Sequence, residues 1–595
     1  MLKIIIEFFL LLTPTQRKQF YLLQVLVIIM SLAEIVSIVS IVPFMTIVGD
    51  PSVLEKDNLL SILFLKSNID DPYEFIFYLG FIVLATLAIA TLISMFITWR
   101  LTMFANKVGV EIGDRLYTYY LNQDWLFHTI GNSSNLTKKI ANESTRLTSE
   151  ILVPLMLMNS RIVLTFFIVF LMFLHDPFVL MIILLVFSLS YIILFKFIRQ
   201  RLVINGKNIS NMFLERFKLM SEGFGGIKEV LLLGRSNYFK ERFNKAGNIL
   251  SHSLGTNRAM EKTPRYFMEW LGFTTIIVLV LYLLKNSQGN LGIILPVLSA
   301  YALAGMKLLP ALQQIYHSIA QVKGNISAYE TIQEDLKNST TTETSQKVET
   351  NQQVWSKHNE INLKNIKFNY PDKTIPALEN ISLTIKPNST VGFVGTTGSG
   401  KSTLIDVILG LIKPQQGEIA IDGTPLTKKN LRMWQNKIGF VPQTIFLTEG
   451  TIAENITFGI PQDLIDYVQI KKVLKLAHLE EWVSQLEKGV YTKVGERGVQ
   501  VSGGQKQRIG IARALYNEAD VLVFDEATSA LDGITEKNIM NAINKFTGQK
   551  TLIIIAHRMK TVEKCNQIFM MENGRVVDRG TYQQLLEKNE QFKKM

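Results

Sequence analysis

Six long apolar stretches occupy the first half of the sequence and limit the folds that it can adopt. A bilayer core is crossed by about 20 mostly apolar residues in a helix, and each stretch has that length. An apolar content of 48% is high for a soluble globular chain. The sequence therefore predicts an all-α membrane domain with six transmembrane helices, at residues 21–48, 73–98, 151–174, 176–198, 266–284 and 291–310.

The basic residues between these spans predict the orientation of the chain. The connection between the second and third spans is rich in Lys and Arg, whereas Lys285 is the single base between the fifth and sixth. Loops rich in Lys and Arg stay in the cytoplasm, which places both termini there. The net charge of +12 is explained by such loops beside anionic lipid, and we expect no nucleic-acid partner. The bases between the second and third spans are Arg100, Lys107, Arg115, Lys138, Lys139 and Arg146.

The segments between the spans carry further predictions. Residues 99–150 and 199–262 have helix-like apolar spacing and are expected to extend the spans as stalks. Asn and Gly interrupt them at 122–132 and 222–226, where short cross-helices are expected. Segment 52–66, between the first two spans, has an apolar second half. It is predicted either to lie on the outer membrane surface or to pack as a short helix against the bundle.

The composition changes near residue 338, where a polar, Thr-rich stretch reads as a flexible linker. The sequence that follows is mixed, charged and rich in glycine. We therefore predict a transmembrane domain at 1–325, a linker at 326–358 and a soluble α/β domain at 359–595.

A glycine-rich loop in the soluble part matches the phosphate-binding P-loop pattern. The buried strand predicted at 390–394 precedes it and an apolar helix follows. Glycines let backbone N–H groups face the phosphates, Lys401 reaches the outer phosphates, and the Ser402 hydroxyl ligates Mg²⁺. The predicted ATP site comprises Gly395, Thr396, Thr397, Gly398, Ser399, Gly400, Lys401, Ser402 and Thr403.

A second apolar strand ends in two carboxylates, Asp525 and Glu526. Asp525 is predicted to hold Mg²⁺, and Glu526 to polarise the attacking water. A strand that merely ends in acidic turn residues would look similar. The P-loop upstream favours the catalytic interpretation.

The segment Val501-Ser502-Gly503-Gly504-Gln505 resembles the signature motif of the ABC transporter superfamily, with Val501 where Leu is usual. In that family the signature closes on the γ-phosphate held by a second nucleotide-binding domain. The resemblance implies an ABC exporter half with a P-loop ATPase domain that uses ATP and Mg²⁺. It also implies the following roles: Gln443 as the Q-loop glutamine, catalytic and a Mg²⁺ ligand; His557 as the catalytic switch histidine; 529–532 as the D-loop; Tyr370 stacking on adenine; Ser502, Gly503, Gly504 and Gln505 contacting ATP; Glu496 and Arg497 as relay residues.

One P-loop and one signature in a single chain cannot complete such a composite site, so two chains are required. A homodimer is expected, because the chain retains both halves, and heterodimerisation stays open. The resemblance further implies a multi-pass protein of the bacterial inner membrane, with the nucleotide-binding domain in the cytoplasm. Cross-helices near Asp124 and Gly225 are expected to transmit the state of the nucleotide to the bundle.

The cargo is suggested by a narrower resemblance, to the bacterial lipid-linked oligosaccharide flippases of protein N-glycosylation. It rests on residues 226–230, 264–269, 307–310 and segment 52–66. It implies a polyprenyl-diphosphate oligosaccharide as substrate, with Arg265 and Lys307 as the bases for the diphosphate. If these bases instead snorkel to an interface, an exporter of lipid A, phospholipid or drugs is the alternative. An ATP-gated channel or regulator is a third class.

Overall fold

A computed structural model describes most of the chain. The described residues are 7, 9, 12–49, 51–55, 59–67, 69, 71–175, 177–286, 291–345, 359–371, 373–495, 498–526, 533–556 and 559–594. The chain divides into two compact units. Met1–Gln123 and Phe127–Lys347 form the first unit, and Asp124–Leu126 with Val348–Met595 forms the second.

The first unit is helical, and the described residues of all six predicted spans lie in helices, apart from a turn at Ser40. Among the described residues, three segments are long and apolar enough to cross a membrane: Pro14–Gly49, Pro72–Leu121 and Ser133–Leu174. The helices are α1 Pro14–Val39, α2 Ile41–Gly49, α3 Leu59–Lys66, α4 Pro72–Leu121, α5 Trp125–Ile130, α6 Ser133–Lys138, α7 Ser144–Leu147, α8 Val153–His175, α9 Pro177–Gly225, α10 Ile227–Leu232, α11 Ser236–Lys262, α12 Pro264–Asn286 and α13 Leu291–Ser345, with single turns at Pro51–Glu55, Lys139–Glu143 and Thr148–Leu152.

Local sequence explains where the long helices begin. Thr13 caps α1 reciprocally with Gln16, through bonds of 3.3 and 2.9 Å, and Pro14 occupies the first helical position. The Asp71 side chain caps α4 in the same way, by accepting a 3.0 Å bond from the backbone N–H of Tyr73. Such caps satisfy N–H groups that have no partner inside the helix. Pro177 and Pro264 also open helices, each at the first helical position.

The long helices expose apolar side chains outward and bury others inward. On α4, Phe77, Phe81 and Leu92 are more than half exposed, whereas Ile97 and Leu101 are buried. Apolar side chains that face outward along such a helix are suited to lipid contact. Short helices α5 and α10 lie at the two predicted breaks, 122–132 and 222–226, and the start of α5 groups with the second unit.

The last long helix differs from the prediction at the domain boundary. Residues 326–345, expected to belong to the linker, continue α13, which ends at Ser345. The reason is packing, because Tyr329, Ile332 and Leu336 recur at helical spacing and are buried in the same core as Leu147 and Ile151. Residues 346–358 lie outside the described part of the chain.

The described residues of segment 52–66 pack against the unit, as one of the two predicted arrangements requires. Leu54 is buried with Ile47 and Phe75, and the Phe64 ring meets that of Phe75 edge-on at 5.2 Å. On the other side of α3, Ile62, Leu63 and Leu65 are exposed. The helix therefore packs against the unit by one face and presents an apolar second face.

The second unit contains two β-sheets with helices. A four-stranded antiparallel sheet has the order β2-β1-β4-β5, and a six-stranded sheet has the order β10-β9-β3-β8-β7-β6 with five parallel strands. The strands are β1 Ile361–Phe368, β2 Leu378–Ile385, β3 Thr390–Val394, β4 Gln416–Ile421, β5 Thr424–Pro425, β6 Ile438–Val441, β7 Val521–Asp525, β8 Thr551–Ile555, β9 Gln567–Glu572 and β10 Arg575–Gly580.

Helices complete this α/β unit. The central strands β3 and β8 are buried at every position, as expected for parallel strands covered on both faces. The helices are α14 Lys401–Ile408, α15 Leu431–Gln435, α16 Ile452–Thr457, α17 Tyr467–Leu476, α18 Glu480–Ser484, α19 Gly503–Tyr516, α20 Gly533–Asn544, α21 Met559–Val562, α22 Tyr582–Lys588 and α23 Glu590–Lys594, with single turns at Gln462–Leu464 and Gly489–Tyr491.

Candidate functional site

The glycine-rich loop joins β3 to α14 and wraps around the Lys401 side chain. The Lys401 Nζ donates to the carbonyl oxygens of Gly395 and Thr396, at 2.8 and 2.9 Å, and lies 3.4 Å from Ser399 Oγ. The remaining predicted loop residues, Thr397, Gly398 and Gly400, complete the turn, and Ser402 and Thr403 lie in the first turn of α14. Backbone N–H groups at the start of a helix form an anion site.

Two glycines of this loop are required by close packing. A Cβ at Gly395 would lie 2.1 Å from the carbonyl oxygen of Met571, and one at Gly400 would lie 2.5 Å from that of Ala377. Gly400 also has φ of +97°, which L side chains rarely adopt. The loop is therefore fixed against its neighbours in a conformation that leaves its backbone accessible to phosphate.

The two carboxylates at the end of β7 approach the loop. Gln443 Nε2 donates to Glu526 Oε2 at 2.9 Å, so two residues predicted to be catalytic are in direct contact. Glu526 has φ of +49°, an uncommon conformation for a residue other than glycine. Such backbone strain concentrates at functional sites. Because of this conformation, the Glu526 side chain does not follow the alternating directions of the strand residues and instead points toward Gln443.

The charges of this region influence one another. Burial lowers the pKa of the Lys401 ammonium, while the nearby carboxylates of Glu526 and Asp525 raise it. Burial, and then repulsion from Asp525, raises the pKa of Asp406 on α14 to about 6. The P-loop lysine, Asp525 and Glu526 thus form one electrostatic cluster, suited to a ligand that carries both phosphates and a cation.

Oxygen donors for a cation are present at this cluster. The predicted ligands Ser402, Gln443 and Asp525 supply a hydroxyl, an amide and a carboxylate, which suit Mg²⁺. Among the described residues, His, Cys, Asp and Glu form no group of three or more able to hold a metal by themselves. Mg²⁺ at phosphate sites is held by one or two protein carboxylates together with the phosphates, so the donor set fits.

The signature segment forms the start of α19. The Ser502 Oγ accepts from the Gln505 backbone N–H at 3.2 Å, and the Gln505 side chain accepts from the Ser502 N–H at 2.7 Å. Ser502 and Gly503 are exposed, and Gly504 is half-buried. The reciprocal cap orders the first turn and leaves a helix N-terminus open to solvent.

Tyr370 lies beside the P-loop helix. Its hydroxyl is 3.4 Å from Thr403 Oγ1, and its half-buried ring meets Phe368 edge-on at 5.0 Å. The predicted switch histidine His557, the D-loop 529–532 and the relay pair Glu496 and Arg497 lie outside the described residues.

The helical unit holds a polar cavity of about 500 Å³. Glu34 is buried there, with its Oε1 3.7 Å from Arg161 Nη1 and its Oε2 3.5 Å from Lys307 Nζ. The Ser94 hydroxyl donates to Glu34 Oε1 at 2.8 Å. Two bases against one acid leave an excess of positive charge in this cavity, among apolar wall residues such as Leu87.

Glu34 and Arg161 were not among the residues predicted to bind substrate. A signal was available, because Glu34 is the one charged residue of span 21–48 and Arg161 the one charged residue of span 151–174. Ionisable groups inside membrane spans usually face a cavity or a partner. Arg265, in contrast, does not share this cavity with Lys307. It pairs with Glu269 at 2.6 Å and lines a different cavity.

Known protein families match both units. The model described as "ABC transporter transmembrane region" matches residues 20–306. The model described as "ABC transporter" matches residues 378–529. Together they cover the first five predicted spans and most of the sixth, the P-loop, the signature, Asp525 and Glu526. These matches agree with the resemblance drawn from the motifs.

Curated relatives share the name "ATP-dependent lipid A-core flippase". The protein of that name from Saccharophagus degradans is 37% identical over 62% of this chain, and the chain spans 61% of its length. The Alkalilimnicola ehrlichii protein is 32% identical, and the chain spans 62% of its length. The Escherichia coli protein is 27% identical, with 88% of this chain and 89% of that protein covered.

A solved structure confirms the fold. A bacterial Atm1-family ABC exporter with ATP bound superposes with a TM-score of 0.78, over 96% of this chain and 97% of that chain, at 19% identity. At this identity the likeness concerns the fold alone. The helical unit, the P-loop domain and the family matches agree: the chain belongs to the ABC transporter superfamily and joins an exporter-type transmembrane domain to an ABC ATPase domain.

Proposed function

We propose that this chain is one half of an ATP-driven exporter that flips an amphipathic, phosphate-bearing glycolipid across a bacterial inner membrane. The observation that carries the proposal is the positively charged cavity of Glu34, Arg161 and Lys307 inside the helical unit. Bases that line a cavity among apolar residues suit an anionic headgroup on a lipid. A drug without charge gains nothing from them.

Two glycolipids fit this chemistry. The names of the relatives support a lipid A-core type of cargo, which was the alternative in the sequence analysis and now becomes the first candidate. A polyprenyl-diphosphate oligosaccharide stays the second candidate, supported by the base-lined cavity and by the apolar outer face of α3. Both molecules join phosphate to sugar and to long apolar chains.

ATP is proposed to bind at the P-loop and to be hydrolysed with Glu526 as the general base. Lys401 and the loop amides hold the phosphates, and Tyr370 stacks on adenine. Ser402, Asp525 and Gln443 hold Mg²⁺, which neutralises phosphate charge when bound. Gln443 orients the Glu526 carboxylate through the 2.9 Å bond, and His557 completes the set.

A second copy of the chain is proposed to complete each ATP site, with Ser502, Gly503, Gly504 and Gln505 facing the γ-phosphate bound by its partner. The exposed start of α19 is suited to this contact. ATP then stabilises the closed dimer, and hydrolysis releases it. Both termini and the nucleotide-binding domains are placed in the cytoplasm, as the basic loops predict.

Substitution of a base and substitution of the acid in this cavity are expected to change the apparent affinity for the glycolipid in opposite directions. Lys307→Ala or Arg161→Ala is expected to raise the glycolipid concentration for half-maximal ATPase stimulation by about 10-fold or more, because each removes a charge-assisted bond to phosphate. Glu34→Gln is expected to lower it, since the competing anion is lost. Basal ATPase should be unchanged in all three.

Lys196→Ala is the matched control, because Lys196 is likewise an exposed base in a predicted span but does not line the cavity. An equal loss of basal and stimulated ATPase in Lys307→Ala would indicate a structural role instead.

The exposed face of α3 is expected to guide the lipid chains. Replacing Ile62, Leu63 and Leu65 together by Ser should reduce transport several-fold while the buried contacts of Leu54 and Phe64 hold the helix in place. Transport of a short-chain glycolipid should stay unchanged, because its chains are too short to need this apolar face. Unchanged transport of the long-chain lipid would rule out this role.

The proposal is tested by ATPase stimulation of the purified protein in nanodiscs. Lipid A, a polyprenyl-diphosphate oligosaccharide, a zwitterionic phospholipid and a cationic drug are compared. Stimulation by a phosphate-bearing glycolipid and not by the last two supports the proposal. Stimulation by the drug alone contradicts it.

A further inference from the structure

A second cavity of the helical unit differs in character from the base-lined one. It has a volume of about 380 Å³ and is formed by α9, the junction of α11 with α12, and α13. Four buried polar atoms on its lining residues have no hydrogen-bond partner among the described residues. They are Tyr191 Oη, Gln313 Nε2, Tyr316 Oη and His317 Nδ1.

Unpartnered buried polar atoms are rare, and several around one cavity indicate a ligand that satisfies them. These four atoms are mixed in kind. The amide of Gln313 donates, while the phenol hydroxyls and the imidazole nitrogen can donate or accept. A phosphate only accepts, so it would use the donors of this set but not the acceptor capacity of the hydroxyls and the imidazole. Sugar hydroxyls both donate and accept, and they match it.

The charges of the cavity also favour a neutral ligand. Glu261 is buried in the wall, and its carboxylate would repel a phosphate. Arg265 is paired with Glu269 at 2.6 Å. Lys262 is the remaining base of the lining and offsets Glu261. The cavity therefore lacks the excess of positive charge found around Glu34.

Two aromatic rings line the cavity. The rings of Tyr191 and Tyr316 stack with their centroids 5.2 Å apart and an angle of 27° between their planes. Rigid aromatic rings with polar tips provide apolar area for the C–H faces of a sugar, and their hydroxyls reach its polar edge. Polar groups arranged around aromatic surface are typical of small-molecule sites.

This cavity adjoins the base-lined one. Pro310 and Gln314 line both, so the base-lined cavity and the hydroxyl-lined cavity share a wall on α13. In a phosphate-bearing glycolipid, the phosphate and the first sugars are neighbours in the same way. This inference rests on the proposed function and deepens it.

We propose that the cavity of Tyr191, Gln313, Tyr316 and His317 is a sugar subsite, which binds the saccharide headgroup of the transported glycolipid while Arg161 and Lys307 bind its phosphate. A sugar in this subsite would give the four polar atoms hydrogen-bond partners. It also predicts that the transporter distinguishes a glycolipid from the same lipid phosphate without sugar.

The test uses the double variant Tyr191→Phe/Gln313→Leu in the full chain in nanodiscs. Half-maximal ATPase stimulation is measured with lipid A and phosphatidic acid, and with polyprenyl-diphosphate oligosaccharide and bare polyprenyl diphosphate. We expect the value for the effective glycolipid to rise at least about 10-fold, because two hydrogen bonds to sugar are lost, and the value for its sugar-free counterpart to stay unchanged.

Thermal unfolding checks the fold of the variant. Removing polar atoms that have no partner should leave the melting temperature equal to or above that of the unchanged protein. Tyr117→Phe, an exposed position on α4, is the matched control and should change neither lipid response.

The outcomes separate the two proposals. Equal values for the double variant and the unchanged protein would show that the cavity holds only water, and would overturn the sugar subsite. Equal weakening for glycolipid and sugar-free lipid would also overturn it, in favour of a structural role. If neither glycolipid stimulates the unchanged protein, the proposed function fails, and the subsite with it.

Discussion

Glu526→Gln is expected to lower ATP turnover by about 10²- to 10⁴-fold while ATP still binds. The amide keeps the size of the side chain but cannot accept a proton from the attacking water. The bond from Gln443 to Glu526 Oε2 at 2.9 Å can persist, because the amide oxygen still accepts it. The phosphate-binding contacts of Lys401 are separate from this bond, so nucleotide affinity should be retained.

Steady-state ATPase and binding of a fluorescent ATP analogue measure the two effects. Glu481→Gln is the matched control, since Glu481 is exposed on α18 in the same domain. It should leave both values unchanged. Turnover that stays within about 3-fold of normal in Glu526→Gln would remove Glu526 as the base.

Lys401→Met is expected to weaken ATP binding by about two orders of magnitude or more and to abolish turnover at micromolar ATP. Each charge-assisted hydrogen bond to phosphate contributes about 1.5–3 kcal/mol, and the ammonium can make more than one. In the loop, this ammonium has three acceptors, the Gly395 and Thr396 carbonyls and Ser399 Oγ. When ATP binds, the Lys401 ammonium is expected to exchange these carbonyl acceptors for phosphate oxygens, so its charge keeps hydrogen-bond partners.

Calorimetric titration with ATP measures the loss, with Lys413→Met as the control, because Lys413 is exposed beyond the end of α14. Thermal unfolding without nucleotide should change little by comparison. ATP affinity within about 3-fold of normal in Lys401→Met would contradict the P-loop assignment.

The sequence predicted the features that local chemistry decides. The P-loop between a buried strand and an apolar helix depends on neighbouring residues, and it is present between β3 and α14. The strained φ of Glu526 was not predictable, because it is imposed by the tertiary setting at the end of β7.

Features that depend on which helix faces meet were not predictable from one sequence. The continuation of α13 to Ser345 depends on burial of Tyr329 and Leu336 against distant helices. In the same way, the sequence grouped Arg265 with Lys307, whereas the structure groups Lys307 with Glu34 and Arg161. Hydropathy identifies a span but does not identify its partners.

The most direct test of ATP-driven glycolipid flipping is a transport assay in proteoliposomes. Fluorescent lipid A and a fluorescent polyprenyl-diphosphate oligosaccharide are each followed across the bilayer, with and without ATP, and with Glu526→Gln as the inactive control. The account predicts ATP-dependent movement of at least one glycolipid by the unchanged protein, and no movement above the ATP-free level in Glu526→Gln. Robust ATP hydrolysis without movement of either glycolipid would contradict it.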